Sequence, residues 1–522
     1  MKDKIINNET TLGIEFGSTR IKAVLTDKNG NVLSQGAFDW ENSLIDGVWT
    51  YSLDEVYEGL QTSFARLKAN VKEKYGVTLT SVGAMGISGM MHGYLPFDKE
   101  GKQICEFRTW RNTITAQSAE ELTKAFDFNI PQRWSIAHLY QAILNKEEHV
   151  KDVYAIYTLA AFIHYKLTGE RVVGVGEASG MFPINSLTND YDEKMLGIFD
   201  SLTSTFSWKI KDILPRVLIA GENAGALTKE GALLLDPTGE FNEGIPFCPP
   251  EGDAGTGMVA TNAVDKRTGN ISAGTSIFLM AVLEKPLSRL YPEIDMVTTP
   301  DGSPVAMVHC NNCCGEIDAW AGIFTEICKK MGLDVSMYKV LDKMFESALE
   351  GDKDCGGLVG YNYLSGEVIT GLDTGKPMFI RGANDKFNFN NFARTQLCSA
   401  AATLSIGMEI LKNENVKLDK LTGHGGYFKA PIAGQTIMAA ALEAPVSVMK
   451  TAGEGGPWGM AVLAGYMLNK KDNESLGDYL KNNIFAGNEG STVEPCKEDV
   501  EGFKKFLENY KAGLAAQRAV NR

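Results

Sequence analysis

Two short turns rich in small residues are the first features of the chain that could do chemistry. Gly17-Ser18-Thr19 and Gly274-Thr275-Ser276 each lie between two apolar stretches that are typical of strands. Backbone N–H groups in a tight turn after a strand bind anions, and Ser and Thr hydroxyls add donors. Either turn alone is equally typical of a plain hairpin. The matching pair predicts a site that binds the phosphates of a nucleotide.

Two carboxylates lie close to glycines that could admit a ligand. Glu15 precedes the first turn, where a carboxylate can hold the Mg²⁺ that bridges nucleotide phosphates, directly or through water. Asp253 lies in the glycine-rich segment 251–257, which lets a substrate approach closely. Phosphoryl transfer to a hydroxyl group needs a carboxylate that takes the proton. Asp253 is therefore the candidate base, although an Asp is also common in plain glycine-rich turns.

Two further loops are candidates for ligand binding. The loop from Gly423 to Tyr427 offers bare backbone on which a flat base or a ribose could lie. The chain contains no GxxxxGK[ST] segment, so a Walker-type phosphate loop is excluded. Cys310, Cys313 and Cys314 leave a metalloprotein open as an alternative. Because no second cysteine pair follows at zinc-site spacing, ordinary reduced thiols are the simpler interpretation.

The overall composition is that of a globular enzyme. A chain of 522 residues predicts two or more domains. Its net charge of -14 argues against nucleic acid or an anionic membrane as a partner. The polar first ten residues lack the apolar core of a secretion signal, and no apolar run reaches transmembrane length. Nine cysteines without a disulfide pattern predict a cytoplasmic protein.

The elements that must position these residues recur along the chain. A strand, a Gly/Ser/Thr turn and a second strand occupy residues 11–26 and again 270–283, which predicts a duplicated α/β unit. A helix is expected over 53–75, ending near Gly76. Apolar residues recur on one helical face between 499 and 518, which predicts a docked closing helix.

Taken together, these residues resemble the FGGY carbohydrate kinases, and most closely their xylulokinase-like branch. The resemblance covers roughly residues 10–470 and implies an α/β fold with two ribonuclease-H-like (actin/hexokinase/Hsp70-like) domains around a central cleft. It implies a sugar-binding domain over 10–250 and a nucleotide-binding domain over 251–470, with a helical extension over 471–522 packed on the second domain. The implied activity is ATP-dependent phosphorylation of a sugar, with Mg²⁺ as the metal.

The resemblance also implies roles for individual positions. Asp253 matches the catalytic base, Glu15 the metal-binding carboxylate, and Met91, His92, Trp110 and Asp253 the sugar-binding residues. The residues implied to bind ATP are Gly17, Ser18, Thr19, Gly274, Thr275, Ser276, Gly425, Gly426 and Tyr427.

The chain departs from the family pattern in three places. Glu15 stands where the family normally has Asp, and Ala254 stands where xylulokinases have a polar residue that contacts the sugar. Arg111 and Asn112 follow Trp110 where the family has a triplet with a carboxylate. We expect a terminal hydroxyl of a small sugar as acceptor, a ketopentose such as xylulose or ribulose.

The sequence leaves other functions and the state of assembly open. The alternatives are a kinase for another polyol or deoxyketose, and a non-catalytic nucleotide-dependent sensor or assembly protein on the same fold. A homodimer is left open, and no nucleic-acid or membrane partner is expected.

Overall fold

The computed structural model describes residues 1–449, 455–487 and 490–520, which form two compact units. Unit 1 contains residues 1–265, 296–305 and 455–487, and unit 2 contains residues 266–295, 306–449 and 490–520. Each unit is therefore built from segments that are not contiguous in sequence. The predicted boundary at 250/251 falls inside unit 1, which also contains the segment carrying Asp253.

The sheet of unit 1 has the strand order β13-β6-β1-β2-β3. β1, β2 and β3 are antiparallel neighbours, whereas β6 lies parallel to β1 and β13 parallel to β6. The strands of residues 1–265 are β1 Thr10–Phe16, β2 Arg20–Asp27, β3 Val32–Asp39, β4 Ser43–Ile45, β5 Val48–Thr50, β6 Ala84–Gly89, β7 Leu95–Phe97, β8 Ala155–Tyr157, β9 Val172–Gly174, β10 Ile184–Asn185, β11 Asp190–Tyr191, β12 Arg216–Leu218 and β13 Glu251–Gly252.

The same segment also contains helices. They are α1 Lys2–Ile6, α2 Leu53–Tyr75, α3 Ala116–Phe126, α4 Ser135–Leu144, α5 Leu159–Thr168, α6 Val175–Ala178, α7 Glu193–Leu202, α8 Ile210–Ile213, α9 Lys229–Leu235 and α10 Asp253–Ala260. α2 has the bounds expected from the sequence. The Ser52 side chain accepts the N–H of Glu55 at its start, and Gly76 ends it with a φ of 68°.

The second half of the chain supplies the remaining elements. The strands are β14 Thr268–Ala273, β15 Ile277–Val282, β16 Ile294–Thr298, β17 Pro304–Cys310, β18 Val359–Tyr361, β19 Met378–Ile380, β20 Lys420–His424, β21 Val446–Val448 and β22 Ser491–Val493. The helices are α11 Gly315–Lys330, α12 Met337–Glu350, α13 Phe389–Asn413, α14 Pro431–Leu442, α15 Gly455–Asn469, α16 Leu476–Tyr479 and α17 Lys497–Val520.

α15 returns to unit 1 and packs directly on its central strand. A side chain at Gly13 of β1 would place its Cβ 2.1 Å from the carbonyl oxygen of Pro457 and 2.5 Å from the N atom of Ala461. Only hydrogen fits there, so the helix backbone lies against the strand. This close packing covers one face of the sheet beside the end of β1.

Unit 2 repeats the sheet order of unit 1. Its sheet contains the order β17-β15-β14-β20-β21, in which β14 and β15 are antiparallel and β20 and β21 continue parallel to β14. The strands correspond one by one to β3, β2, β1, β6 and β13. The predicted α/β fold class, with two ribonuclease-H-like domains, is confirmed.

The expected closing helix is α17, and it belongs to unit 2. Phe503, Phe506, Tyr510 and Leu514 are buried on one face, as the sequence pattern predicts. The Arg394 guanidinium of α13 donates to the Asp499 carboxylate over 2.6 Å, which anchors the start of α17. Among the described residues, no helix is both long and apolar enough to cross a membrane.

Candidate active site

The carboxyl ends of three neighbouring strands form the candidate site in unit 1. Glu15 of β1 lies beside Ser88 of β6, and Gly89 of β6 lies beside Gly252 of β13. Because the three strands are parallel, the segments that follow them leave the sheet at the same edge. This register brings the first turn, the segment after β6 and Asp253 to the same edge of the sheet.

Aromatic side chains orient the first Gly/Ser/Thr turn. The Trp40 indole N–H donates to the Gly17 carbonyl over 2.7 Å, and the Tyr51 hydroxyl donates to the Ser18 carbonyl over 2.6 Å. In a trans peptide the C=O and the following N–H point in opposite directions. The N–H groups of Ser18 and Thr19 therefore point away from the two rings. The Gly17 N–H is already used, since it closes the turn on the Arg20 carbonyl.

Glu15 carries an unpaired carboxylate oxygen beside this turn. Its Oε2 is buried and has no hydrogen-bond partner among the described residues. Burial raises the pKa of Glu15 to about 8, and the negative charge of Asp253 adds to the shift. Two carboxylates that repel each other, one with an unpaired oxygen, suit a divalent cation with hard oxygen ligands. The residues present therefore fit a Mg²⁺ ion.

Asp253 is the first residue of α10. Its Oδ1 accepts the backbone N–H of Met91 over 3.1 Å. This bond connects the candidate base to the segment of Met91 and His92, which is predicted to bind the sugar. Burial raises the pKa of Asp253, while the N–H groups that it accepts oppose the rise. A raised pKa makes a carboxylate a stronger proton acceptor.

A short helical turn that the sequence analysis did not assign to the site supports this region. The Glu251 carboxylate accepts the N–H groups of Gly176 and Glu177 over 3.2 and 2.9 Å, at the start of α6. Burial raises the pKa of Glu251 to about 8. A Cβ at Gly252 would lie only 2.2 Å from the Glu177 Oε2. Glu251 thus anchors the backbone two residues before Asp253 to α6, and the Glu177 carboxylate packs against Gly252.

His92 has both ring nitrogens engaged within unit 1. Its Nε2 accepts the Nε–H of Arg133 over 3.0 Å, so Nδ1 carries the proton and faces the Gly180 carbonyl at 3.3 Å. The φ of His92 is 74°, a left-handed conformation that is unusual for a residue with a side chain. Arg133, which the sequence analysis missed, is the partly exposed group of this pair.

Trp110 extends from the same region, and its side chain is 41% exposed. Its indole N–H donates to the Ser18 hydroxyl over 3.1 Å, which links the predicted sugar-binding residue to the first turn. The next two residues, Arg111 and Asn112, contact Trp49. The Arg111 guanidinium lies 3.9 Å from the centre of the Trp49 ring, and the Asn112 amide pairs with the Trp49 backbone.

Unit 2 holds its Gly/Ser/Thr turn in a related way. The backbone N–H groups of Cys313 and Cys314 donate to the carbonyls of Thr275 and Gly274 over 2.9 and 3.0 Å. By the same peptide geometry, the N–H groups of Thr275 and Ser276 point away from these donors. The second turn thus presents two N–H groups, as the first does.

The loop from Gly423 to Tyr427, predicted to bind the base or ribose of ATP and called the adenosine loop below, lies beside the second turn in the same sheet. Ser272 of β14 is paired with His424 of β20, and a Cβ at Gly425 would lie 2.4 Å from the Ala273 carbonyl oxygen. Gly425 and Gly426 are exposed. The Tyr427 side chain is buried and donates its hydroxyl to the Leu397 carbonyl, so this loop offers backbone rather than the tyrosine ring.

The cysteine segment remains a set of free thiols. Cys310, Cys313 and Cys314 are buried and are not joined in disulfides. Within the described part of the chain, no group of three or more His, Cys, Asp or Glu side chains is arranged to hold a metal ion.

Comparison with known proteins identifies the family. Residues 10–260 match the N-terminal domain of the FGGY family of carbohydrate kinases, and residues 269–468 match its C-terminal domain. The chain is 22% identical over 468 residues to a xylulose kinase from Haemophilus influenzae, which covers 88% of this chain and 89% of that protein.

Solved structures share the fold. A ligand-bound xylulose kinase from Lactobacillus acidophilus has a TM-score of 0.79 at 16% identity, covering 98% of this chain and 99% of that one. A Plasmodium falciparum glycerol kinase with ADP has a TM-score of 0.78 at 17% identity, covering 97% and 98%. The predicted family and enzyme class are confirmed: the chain belongs to the FGGY family of carbohydrate kinases.

Proposed function

We propose that this kinase transfers the γ-phosphoryl group of ATP to a terminal hydroxyl of a small ketopentose such as xylulose or ribulose. The observation that carries the proposal is the bond between the Asp253 carboxylate and the Met91 N–H. It joins a carboxylate of raised pKa to the loop that in xylulokinases touches the sugar. The names of the similar proteins include both xylulose and glycerol kinases, so the acceptor is the part that needs an assay.

In the proposed reaction, Asp253 takes the proton of the acceptor hydroxyl as the hydroxyl oxygen attacks the γ-phosphorus. The bond from the γ-phosphorus to the β,γ-bridging oxygen breaks, and ADP leaves. Each unit offers a pair of N–H donors for phosphate oxygens, those of Ser18 and Thr19 in unit 1 and those of Thr275 and Ser276 in unit 2. These donors are fixed before ATP binds, because side chains or backbone groups already hold the carbonyls behind them. Little reorganisation is then needed when charge moves in the transition state.

Glu15 would hold Mg²⁺, directly or through a water molecule, and its unpaired Oε2 is the available ligand atom. A bound Mg²⁺ supplies positive charge that offsets the charge on the phosphate oxygens. Trp110 and the pair His92–Arg133 would orient the sugar, since Trp110 exposes its ring and the pair lies beside the Met91 backbone.

The substitution Asp253→Asn tests the assignment of the base. We expect sugar phosphorylation to fall by about 10²–10⁴-fold, which is the range that general-base catalysis contributes. The affinity for ATP should change less than about twofold, because the proposed phosphate donors are untouched. The measurements are coupled ADP release and ATP titration, with the exposed Asp472→Asn as a matched control. Unchanged turnover in Asp253→Asn would refute the role.

A panel of acceptors tests the substrate class. Xylulose, ribulose, 6-deoxyketohexoses, tetritols, glycerol and gluconate should be compared by kcat/KM for ADP release. A ketopentose should lead the panel. If another acceptor has the highest kcat/KM, that compound would replace the ketopentose as the proposed substrate, and the proposed phosphoryl transfer would stand. ATP binding without acceptor-stimulated ADP release would favour a nucleotide-dependent sensor on the same fold, the alternative that the departure at Glu15 supports.

A further inference from the structure

Two adjacent thiols lie between β17 and α11 in unit 2. The Sγ atoms of Cys313 and Cys314 are 3.6 Å apart, in van der Waals contact. Cys313 is 1% exposed and Cys314 is 9% exposed, so Cys314 is the more accessible of the two. Nothing in the proposed phosphoryl transfer uses either sulfur atom.

The backbone of these two cysteines is part of the proposed nucleotide site. Their N–H groups hold the carbonyls of Thr275 and Gly274, and this contact orients the turn. The loop from Gly423 to Tyr427 lies against the strand that leads into the same turn, since a Cβ at Gly425 would lie 2.4 Å from the Ala273 carbonyl oxygen. The dithiol therefore lies close to both the turn and the adenosine loop.

The surrounding loop leaves the dithiol little freedom to move alone. The Asn312 Oδ1 accepts the N–H groups of Leu364 and Ser365 over 2.8 and 3.0 Å. The Asn362 side chain donates to the Cys313 carbonyl over 3.0 Å. If the peptide between Cys313 and Cys314 rotates, its carbonyl must break the bond from Asn362. Its N–H must at the same time move relative to the Gly274 carbonyl of the Gly/Ser/Thr turn.

We propose that Cys313 and Cys314 form a modification site for a peroxide-class oxidant, and that their disulfide weakens nucleotide binding by unit 2. The proposal rests on the nucleotide role proposed above. Peroxide oxidises the Cys314 thiol to a sulfenic acid and releases water. The Cys313 sulfur then attacks the sulfenic sulfur, expelling a second water as the S–S bond forms. Two thiols are oxidised by two electrons and one peroxide is reduced.

Chain geometry supplies the coupling to the turn. Consecutive Cα atoms lie about 3.8 Å apart, whereas disulfide-bonded cysteines usually have Cα atoms about 4.4–6.8 Å apart. The peptide between the two residues must therefore distort when the bond forms. Its N–H belongs to Cys314 and holds the Gly274 carbonyl. Strained disulfides are also the readily reduced ones, so a thiol reductant should reverse the change.

The test compares reduced and peroxide-treated full-length protein. We expect a mass loss of about 2 Da in the peptide containing Cys313 and Cys314, and at least about tenfold weaker ATP binding in a titration. Dithiothreitol should restore both. In Cys314→Ser and Cys313→Ser, peroxide should leave ATP binding at the value that each variant has before treatment. Cys310→Ala and Cys328→Ser serve as controls that should retain the mass loss and the response.

Each outcome separates this inference from the proposed function. Normal ATP binding after complete formation of the disulfide would overturn it, as would a loss of binding that persists in Cys314→Ser. A mass loss that disappears in the Cys310→Ala control would assign the bond to another pair and also overturn it. If the reduced protein binds no ATP, the proposed nucleotide site itself fails, whatever the state of the dithiol.

Discussion

Replacing Glu15 by glutamine should change how the stability of the ligand-free protein depends on pH. Glu15 combines a buried, unpaired Oε2 with the nearby negative charge of Asp253. Glutamine keeps the size of the side chain and removes its titration. The substitution therefore isolates the cost of placing a negative charge at this position.

The pKa of Glu15 sets the sign and the size of the effect. The folded protein holds the proton up to about pH 8, whereas the unfolded chain releases it near its ordinary value of 4.5. Between these values the folded state binds more protons, so the free energy of unfolding falls as pH rises. At about 1.4 kcal/mol for each pH unit, the loss reaches at most about 5 kcal/mol above pH 8. Partial solvation of the side chain reduces this figure, and we expect about 2–3 kcal/mol of the loss to fall between pH 6 and pH 9.

Thermal unfolding at pH 6 and pH 9, without nucleotide or divalent metal, measures the difference. The wild-type Tm should fall between the two values by roughly 2–5 °C more than the Tm of Glu15→Gln. The exposed Glu9→Gln is the matched control and should follow the wild type. With ADP present, Mg²⁺ should raise the wild-type Tm and have less effect on Glu15→Gln. Equal pH slopes in wild type and Glu15→Gln would refute the reasoning.

Three other substitutions test the surroundings. Gly252→Ala should lower kcat by about 10²-fold with little change in ATP affinity, because its Cβ would meet a buried carboxylate oxygen at 2.2 Å and displace the base. Trp110→Phe should raise the KM for the acceptor about 2–10-fold in steady-state assays, since the bond to Ser18 is lost but an aromatic face remains. Asp499→Ala should destabilise unit 2 by about 3–5 kcal/mol in denaturant unfolding, because Arg394 keeps a buried charge without its carboxylate.

Much of the local structure could be predicted from the sequence because its causes are local. α2 begins after a serine cap and ends at a glycine, and both signals lie within the helix and its neighbours. The repeated strand, turn and strand predicted the duplicated sheet, whose order is the same in both units. α17 carries its apolar face at helical spacing, so its burial followed from the pattern.

The supporting residues of the site could not be predicted because their partners are distant in sequence. Glu251 bonds to residues about 75 positions earlier, and Arg133 bonds to His92 across 41 positions. A lone Arg or Glu carries no pattern that predicts such a contact. The way the chain is shared between the two units also depends on distant segments. Residues 455–487 return to unit 1 after the chain has built most of unit 2.

The glycines around Glu15 explain how the site accommodates a glutamate where the family normally has an aspartate. A Cβ at Gly17 would lie 3.3 Å from Oε1 of Glu15, and a Cβ at Gly456 would lie 2.0 Å from Oε2. The longer carboxylate thus occupies space that a side chain at Gly456 would fill. Its charge is costly there without a cation, as the pKa of about 8 indicates. A carboxylate held in an unfavourable site binds a divalent ion with a gain that includes the relief of that repulsion. The extra methylene is therefore compatible with metal binding, because the glycine at 456 provides the room.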